Sequence, residues 1–211
     1  MVLGVVVGAL LSFTTVFIAG ELLTRAVPFK VGVPPADLSV EAVVFETDAR
    51  QPISGWLIPG EPGGGAVLLL HALRGNRLTM MKRARLLHRL GYAVLLVDLQ
   101  AHGESPGDHI TFGAREAAGV RAALDYLHRR LPSDRIGVIG ISLGAASFVL
   151  AQPQTPTAAV VLESMYPTIT EAVADRLELH LGAWAAPLAP ALLLQLPLRL
   201  DVTTDALRPI K

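Results

Sequence analysis

The chain has 211 residues, enough for one domain with a full core and cramped for two. Its 18 Lys and Arg balance 18 Asp and Glu, so there is no basic field to draw in nucleic acid, and none is expected as a partner. Cysteine is absent, which excludes disulfides, thiolate zinc sites and a cysteine nucleophile.

Residues 2–20 (VLGVVVGALLSFTTVFIAG) carry no charge over 19 positions, about the length a helix needs to cross a roughly 30 Å hydrocarbon core. No basic stretch precedes them and no A-x-A follows, so an uncleaved anchor over residues 1–24 fits better than a cleaved signal peptide and secretion. A buried core helix would carry a polar face, which this run lacks. The expected location is a membrane, with lipid as the partner of a single N-terminal span. Arg25 and Lys30 follow that span and lean its C-terminal side towards the cytoplasm.

Pro28, Pro34 and Pro35 make residues 25–37 an extended linker, because proline fixes φ and restrains its predecessor. The globular domain is expected over 38–211. Residues 40–45 and 53–58 read as an antiparallel hairpin around a polar turn, and Gly63-Gly64-Gly65 then breaks the chain. AVLLL (66–70) is a strand buried on both faces, followed by the loop His71 to Asn76. Leu78, Met81, Ala84, Leu87 and Leu90 recur at helical spacing before Gly91, and residues 93–97 form a second buried strand ending at Asp98. Within that helix Lys82, Arg83 and Arg85 read as a solvated face or one meeting anionic lipid. Arg74 and Arg77 read as solvated surface charge, against the alternative of meeting a carboxylate or phosphate.

The loop 98–107 (DLQAHGESPG) leads to a helix marked by Ala117, Val120, Leu124 and Leu127. Residues 136–139 then supply an apolar strand into Gly140-Ile141-Ser142-Leu143-Gly144, and small residues continue as a helix. A GxSxG sequence between strand and helix is the context in which a strained turn presents a serine hydroxyl above the sheet edge. Gly140 and Gly144 permit close backbone approach, and the helix start offers free N–H groups to an oxyanion. Residues 158–162 are a fourth buried run. Buried runs alternating with helices predict an open, mostly parallel α/β sheet with helices on both faces, whose ligands bind outside the carboxyl ends of the strands. His71, Asp98, Ser142 and Glu163 all fall at such ends.

Beyond Glu163 the chain is rich in Leu, Ala and Pro. Residues 165–205 read as a cap-like helical region carrying Trp184, with no clear further buried strand. His180 is the only histidine after Ser142, so it is the candidate base, against the plainer reading of an exposed cap residue. Glu163 is the candidate acid, against a local hydrogen-bonding role. Asp98 is expected to fix its loop through bonds to backbone N–H groups. His71, His102, Asp98 and Glu104 lack the spacing of a helical zinc motif, and neither metal nor cofactor is expected.

Three motifs in order, the His71-Ala72 loop, Asp98-x-x-x-His102-Gly103-x-Ser105 and GISLG, resemble the α/β-hydrolase superfamily. HALRGNR, VDLQAHGES, FGAREAAGV and VLESMYPTI are more narrowly similar to bacterial membrane-associated hydrolases of the serine aminopeptidase-like or prolyl-oligopeptidase-related kind, from about residue 38 to the end. The resemblance implies that Ser142 is a nucleophile forming an acyl-enzyme with an ester or peptide-like substrate. It assigns the oxyanion hole to the backbone N–H groups of Leu143 and Leu73. Ala72 departs from the glycine usual after the histidine and must keep φ negative to leave the Leu73 amide facing the site. Residues 206–210 (ALRPI) resemble the segment that in relatives precedes the strand carrying the acid. The domain is therefore expected to be truncated, lacking its last strands and the triad Asp and His. The alternative function is a non-catalytic, membrane-anchored binding protein or an inactive fragment.

Overall fold

The computed structural model describes residues 2–182 and 185–210. The N-terminal apolar run is one helix, α1 (Val2–Thr24), after which the chain enters a sheet. Internal contacts divide the chain into two compact units, residues 26–165 and residues 1–25 with 166–211.

The first unit is built on a six-stranded sheet. Its strands are β2 (Glu41–Glu46), β3 (Pro52–Ile58), β4 (Ala66–Leu70), β5 (Ala93–Val97), β7 (Ile136–Ile141) and β8 (Ala159–Glu163), in the spatial order β2-β3-β5-β4-β7-β8. The β2–β3 and β3–β5 pairs are antiparallel; β5–β4, β4–β7 and β7–β8 are parallel. Two short parallel segments, β1 (Val27–Pro28) and β6 (His102–Gly103), tie the linker to the loop after β5. This is the expected mostly parallel sheet with an antiparallel hairpin at its start.

Alternation along the strands sends successive side chains to opposite faces, and each face has its own core. Leu68, Leu70, Leu95 and Val97 pack with Val120, Leu124 and Leu127 of α3 (Glu116–Arg130) and Phe148 of α4 (Leu143–Ala151). Val67, Leu69, Val94 and Leu96 pack on the other side with Met80 and with Ala84 of α2 (Met81–Arg89). The β4 and β5 side chains are buried throughout, each leucine contributing about 1.5–3 kcal/mol of transfer free energy.

The fourth expected buried run is corrected. β8 pairs only with β7 among the described residues, and Ala159, Val160 and Val161 are exposed, because an edge strand lacks the neighbour that would cover it.

The second unit contains α1, α5 (Ile169–Leu181), α6 (Ala185–Leu193) and α7 (Gln195–Leu200). The Thr168 side chain caps α5 by accepting from the Glu171 N–H, and Pro190 lies inside α6. Trp184, expected on the cap, lies outside the described residues. Among the described residues no helix is long and apolar enough to cross a membrane; side chains 2–6, 8, 9 and 12 of α1 fall outside them. The expectation of a span over residues 1–24 therefore gains no support there.

Candidate active site

β4 and β7 lie side by side in parallel with Leu70 opposite Gly140, so the loops that leave them start at the same level of the sheet. From β7 the chain turns sharply at Ser142, whose φ of 50° and ψ of −108° lie where L-residues are strained by about 1–3 kcal/mol. The Ser142 N–H donates to the Glu163 carbonyl at 2.8 Å, and its own carbonyl accepts from the Ala146 N–H at 2.9 Å. Its hydroxyl makes no capping bond to α4. The elbow is thus fixed through its backbone, and among the described residues the half-buried side chain is unengaged.

Two glycines permit this turn. A Cβ on Gly144 would stand 2.6 Å from the Leu70 carbonyl oxygen, and one on Gly140 would stand 2.8 Å from the Ala145 nitrogen. The start of α4 is consequently pressed against the end of β4. The Leu143 amide is the first of α4 and has no intrahelical acceptor.

Two histidines pin the neighbouring loop. The His71 Nδ1–H donates to the Ala72 carbonyl at 2.8 Å, while Nε2 accepts from the Leu99 N–H at 3.0 Å. In His102, Nδ1–H donates to the Gln100 carbonyl at 2.9 Å and Nε2 accepts from the Arg74 N–H at 3.2 Å. Each ring has one donating and one accepting nitrogen, which is the neutral tautomer. Burial holds His71 down to about 4 from 6.5 and also lowers His102. Both rings are structural, and neither has a nitrogen left to serve as a base. Arg74 takes a left-handed φ of 60° while Ala72 keeps a negative one, and the Gly75 N–H returns to the Ala72 carbonyl. Among the described residues the Leu73 amide meets no acceptor.

Asp98, at the end of β5, is buried. Its carboxylate accepts from the Arg77 N–H at 2.7 Å, from Arg77 Nε and Nη2 at 3.0 and 2.6 Å, and from the Glu104 N–H at 2.8 Å. This is its expected loop-fixing role. Arg77 is a correction: it is no solvated surface charge but buried beneath the loop, with its guanidinium 5.3 Å over the Trp56 ring and Nη2 on Glu104 at 2.9 Å. Neutralisation by two carboxylates is what lets it leave water. Arg83 and Arg85 pair with Glu163 and Asp37, so this helix face is not simply solvated.

The remaining candidates are placed as follows. Glu163 offers its carbonyl to the Ser142 N–H, and its half-exposed carboxylate accepts from Arg83 at 2.6 Å. His180 is exposed on α5, in the helical unit. Sequence reasoning missed Glu116, a buried carboxylate that accepts from the Thr111 N–H and hydroxyl at 2.8 and 2.6 Å and from the Gly113 N–H at 2.9 Å. An acidic residue at the start of a helix just after Thr and Gly was the available signal.

Comparisons with known proteins bear on the family and the fold. The uncharacterized protein Rv2307c of Mycobacterium tuberculosis is 38% identical over 133 residues, 61% of this chain and 47% of that protein. The chain thus spans about half the length of the curated relatives it matches. Among solved structures, an esterase of Pyrococcus furiosus, Pf2001, is similar with a TM-score of 0.63 at 26% identity, over 80% of this chain and 68% of that one. A serine hydrolase without a lid from Xanthomonas campestris, XC6422, has a TM-score of 0.50 at 18% identity, over 82% of this chain and 99% of that one, a likeness of fold alone. The model of the alpha/beta hydrolase family matches residues 67–209, most of the chain, and to that family the chain belongs.

Proposed function

We propose that the protein is a serine hydrolase held at a membrane by α1, acting on a small ester or peptide-like substrate. The observation that carries this reading is the Ser142 turn, a strained serine whose hydroxyl meets no partner among the described residues, at the start of a helix whose first amide has no intrahelical acceptor. The Ser142 Oγ attacks the carbonyl carbon as its proton passes to a base, and the carbonyl oxygen becomes an oxyanion facing the Leu143 and Leu73 N–H groups. Collapse expels the alcohol or amine, which takes up that proton, and water then cleaves the acyl-enzyme. Each oxyanion donor lowers the barrier by about 2.7–4 kcal/mol in measured cases. On sequence position alone His180 is the candidate base and Glu163 the candidate acid. Likeness to the Pyrococcus esterase favours an ester over an amide.

The anchor rests on 23 helical residues in α1, which at about 1.5 Å each rise some 34 Å. A second reading, a binding protein without turnover, is favoured by one observation: both histidines at the strand ends are neutral and fully engaged. The test is fluorophosphonate labelling of the purified chain in detergent, with Ser142→Ala as control and mass spectrometry to locate the adduct. A Ser142 adduct absent from the control establishes an activated serine. A folded protein that stays unlabelled leaves the binding reading.

A further inference from the structure

Within the helical unit, the sequence and the contacts of α6 and α7 combine in an unusual way. Residues 182–198 carry no charge over 17 positions, and only Trp184 and Gln195 among them have side chains with hydrogen-bonding capacity. That amide turns inward: Nε2 donates to the Val16 carbonyl at 3.1 Å and the Ala191 carbonyl at 3.3 Å, and Oε1 accepts from Arg199 Nη2 at 3.0 Å. Arg199 closes on α1 as well, pairing with Glu21, donating to the Phe17 carbonyl at 2.9 Å and lying 4.3 Å over the Phe17 ring. Leu196 and Leu200 face inward and are buried, while Leu194 and Leu198, one turn apart, are 74% and 91% exposed. Leu194, just before α7, and Leu198 therefore present an apolar outward face, while Gln195 and Arg199 turn towards α1 and each other.

The same unit exposes Leu10, Leu11, Phe13, Phe17 and Ile18 on α1, so the apolar surface of α7 continues one already apolar. Water is a poor solvent for both. Lipid suits them, because a bilayer tolerates side chains such as Gln and Arg only where neighbouring helices or the interface satisfy them. Depth follows from the register. Gln195 and Arg199 meet α1 at residues 16–21, where the uncharged run ends and the first charge, Glu21, marks the headgroup level. The helices α6 and α7 have 9 and 6 residues, too short to span, as fits a shallow seat.

We infer that α6 and α7 lie in the outer part of the bilayer that holds α1, with Leu194 and Leu198 in contact with lipid. The inference rests on the proposal that α1 is a membrane anchor and adds a second point of insertion. It gives the membrane partner a chemistry, acyl chains below an interface.

The absence of cysteine allows a direct test. Leu11→Cys, Leu194→Cys, Leu198→Cys and Asp48→Cys are each spin-labelled in the full chain and reconstituted into vesicles of phosphatidylcholine and phosphatidylglycerol in equal parts. Collision rates with oxygen, which concentrates in lipid, and with a neutral nickel chelate, which stays in water, then report depth. The expected result is an oxygen-to-nickel ratio severalfold higher at 194 and 198 than at the exposed position 48, and highest at 11. If 11 is in lipid but 194 and 198 resemble 48, the inference is overturned and the anchor stands. If 194 and 198 are shielded from both reagents, protein covers them and the inference also fails. If 11 itself resembles 48, the anchor reading falls and this one with it.

Discussion

Replacing Arg77 by methionine keeps the stem of the side chain and removes its charge. The structure says what is lost: the Nε and Nη2 bonds to Asp98, the Nη2 bond to Glu104 and the cation over Trp56. Removing one partner of a buried ion pair typically costs about 3–5 kcal/mol because the other charge stays behind. Asp98 would retain two backbone donors, Arg77 N–H and Glu104 N–H, so the lower end of that range applies, about 3 kcal/mol. For a chain of this size that corresponds to a fall in melting temperature of about 6–12 °C, read by circular dichroism in detergent. Asp98→Asn added to Arg77→Met should cost less than the two single losses summed, since each single change strands the charge of the other. A fall below about 2 °C for Arg77→Met, or strict additivity in the double variant, would refute the claim that this ion pair organises the loops beneath the site.

Other expectations follow from the same geometry. Ser142→Gly should abolish labelling yet raise the melting temperature by about 2–4 °C, since glycine relieves about 1 kcal/mol of strain at positive φ. Gly144→Ala should destabilise by about 1–3 kcal/mol in urea titration, because the new Cβ meets the Leu70 backbone rather than a side chain that can swing away. Stability should fall with acid in a window set by His71: unfolded, it binds a proton below about 6.5, whereas folded it resists protonation down to about 4. The contribution is complete above pH 6.5 and lost as pH drops towards 4, about 3 kcal/mol in all, and His102 acts in the same direction. Melts of His71→Gln across that range should show a flatter slope than the parent.

The parallel strands were legible because AVLLL and AVLLV are continuous apolar runs bounded by glycine and polar loops. The elbow was legible for a related reason, since GISLG follows such a run and opens a small-residue helix. The identity of the buried charges was not. Arg77 and Arg74 sit three residues apart in one loop and look alike in sequence, yet one is buried against Trp56 and the other is exposed. Only the tertiary meeting of Arg77 with Asp98 and Glu104, 21 and 27 residues away, tells them apart. β8 misled in the opposite sense. Its apolar composition predicts burial, but burial needs a neighbour, and composition does not say whether one is there. Glu116 escaped notice because a glutamate in the first turn of a helix is ordinary on the surface, and only the folded loop 111–113 encloses it.

The clasp between α7 and α1 joins positions 179 residues apart in the chain. During synthesis, at about 5–20 residues per second, Val16 leaves the ribosome roughly ten to forty seconds before Gln195 exists. In that interval the whole of residues 26–165, a compact unit of its own, is made. The clasp can therefore close only after that unit has been made. Until then α1 waits with the face around Gly20 uncovered, which makes whatever shelters α1 in that interval a determinant of yield.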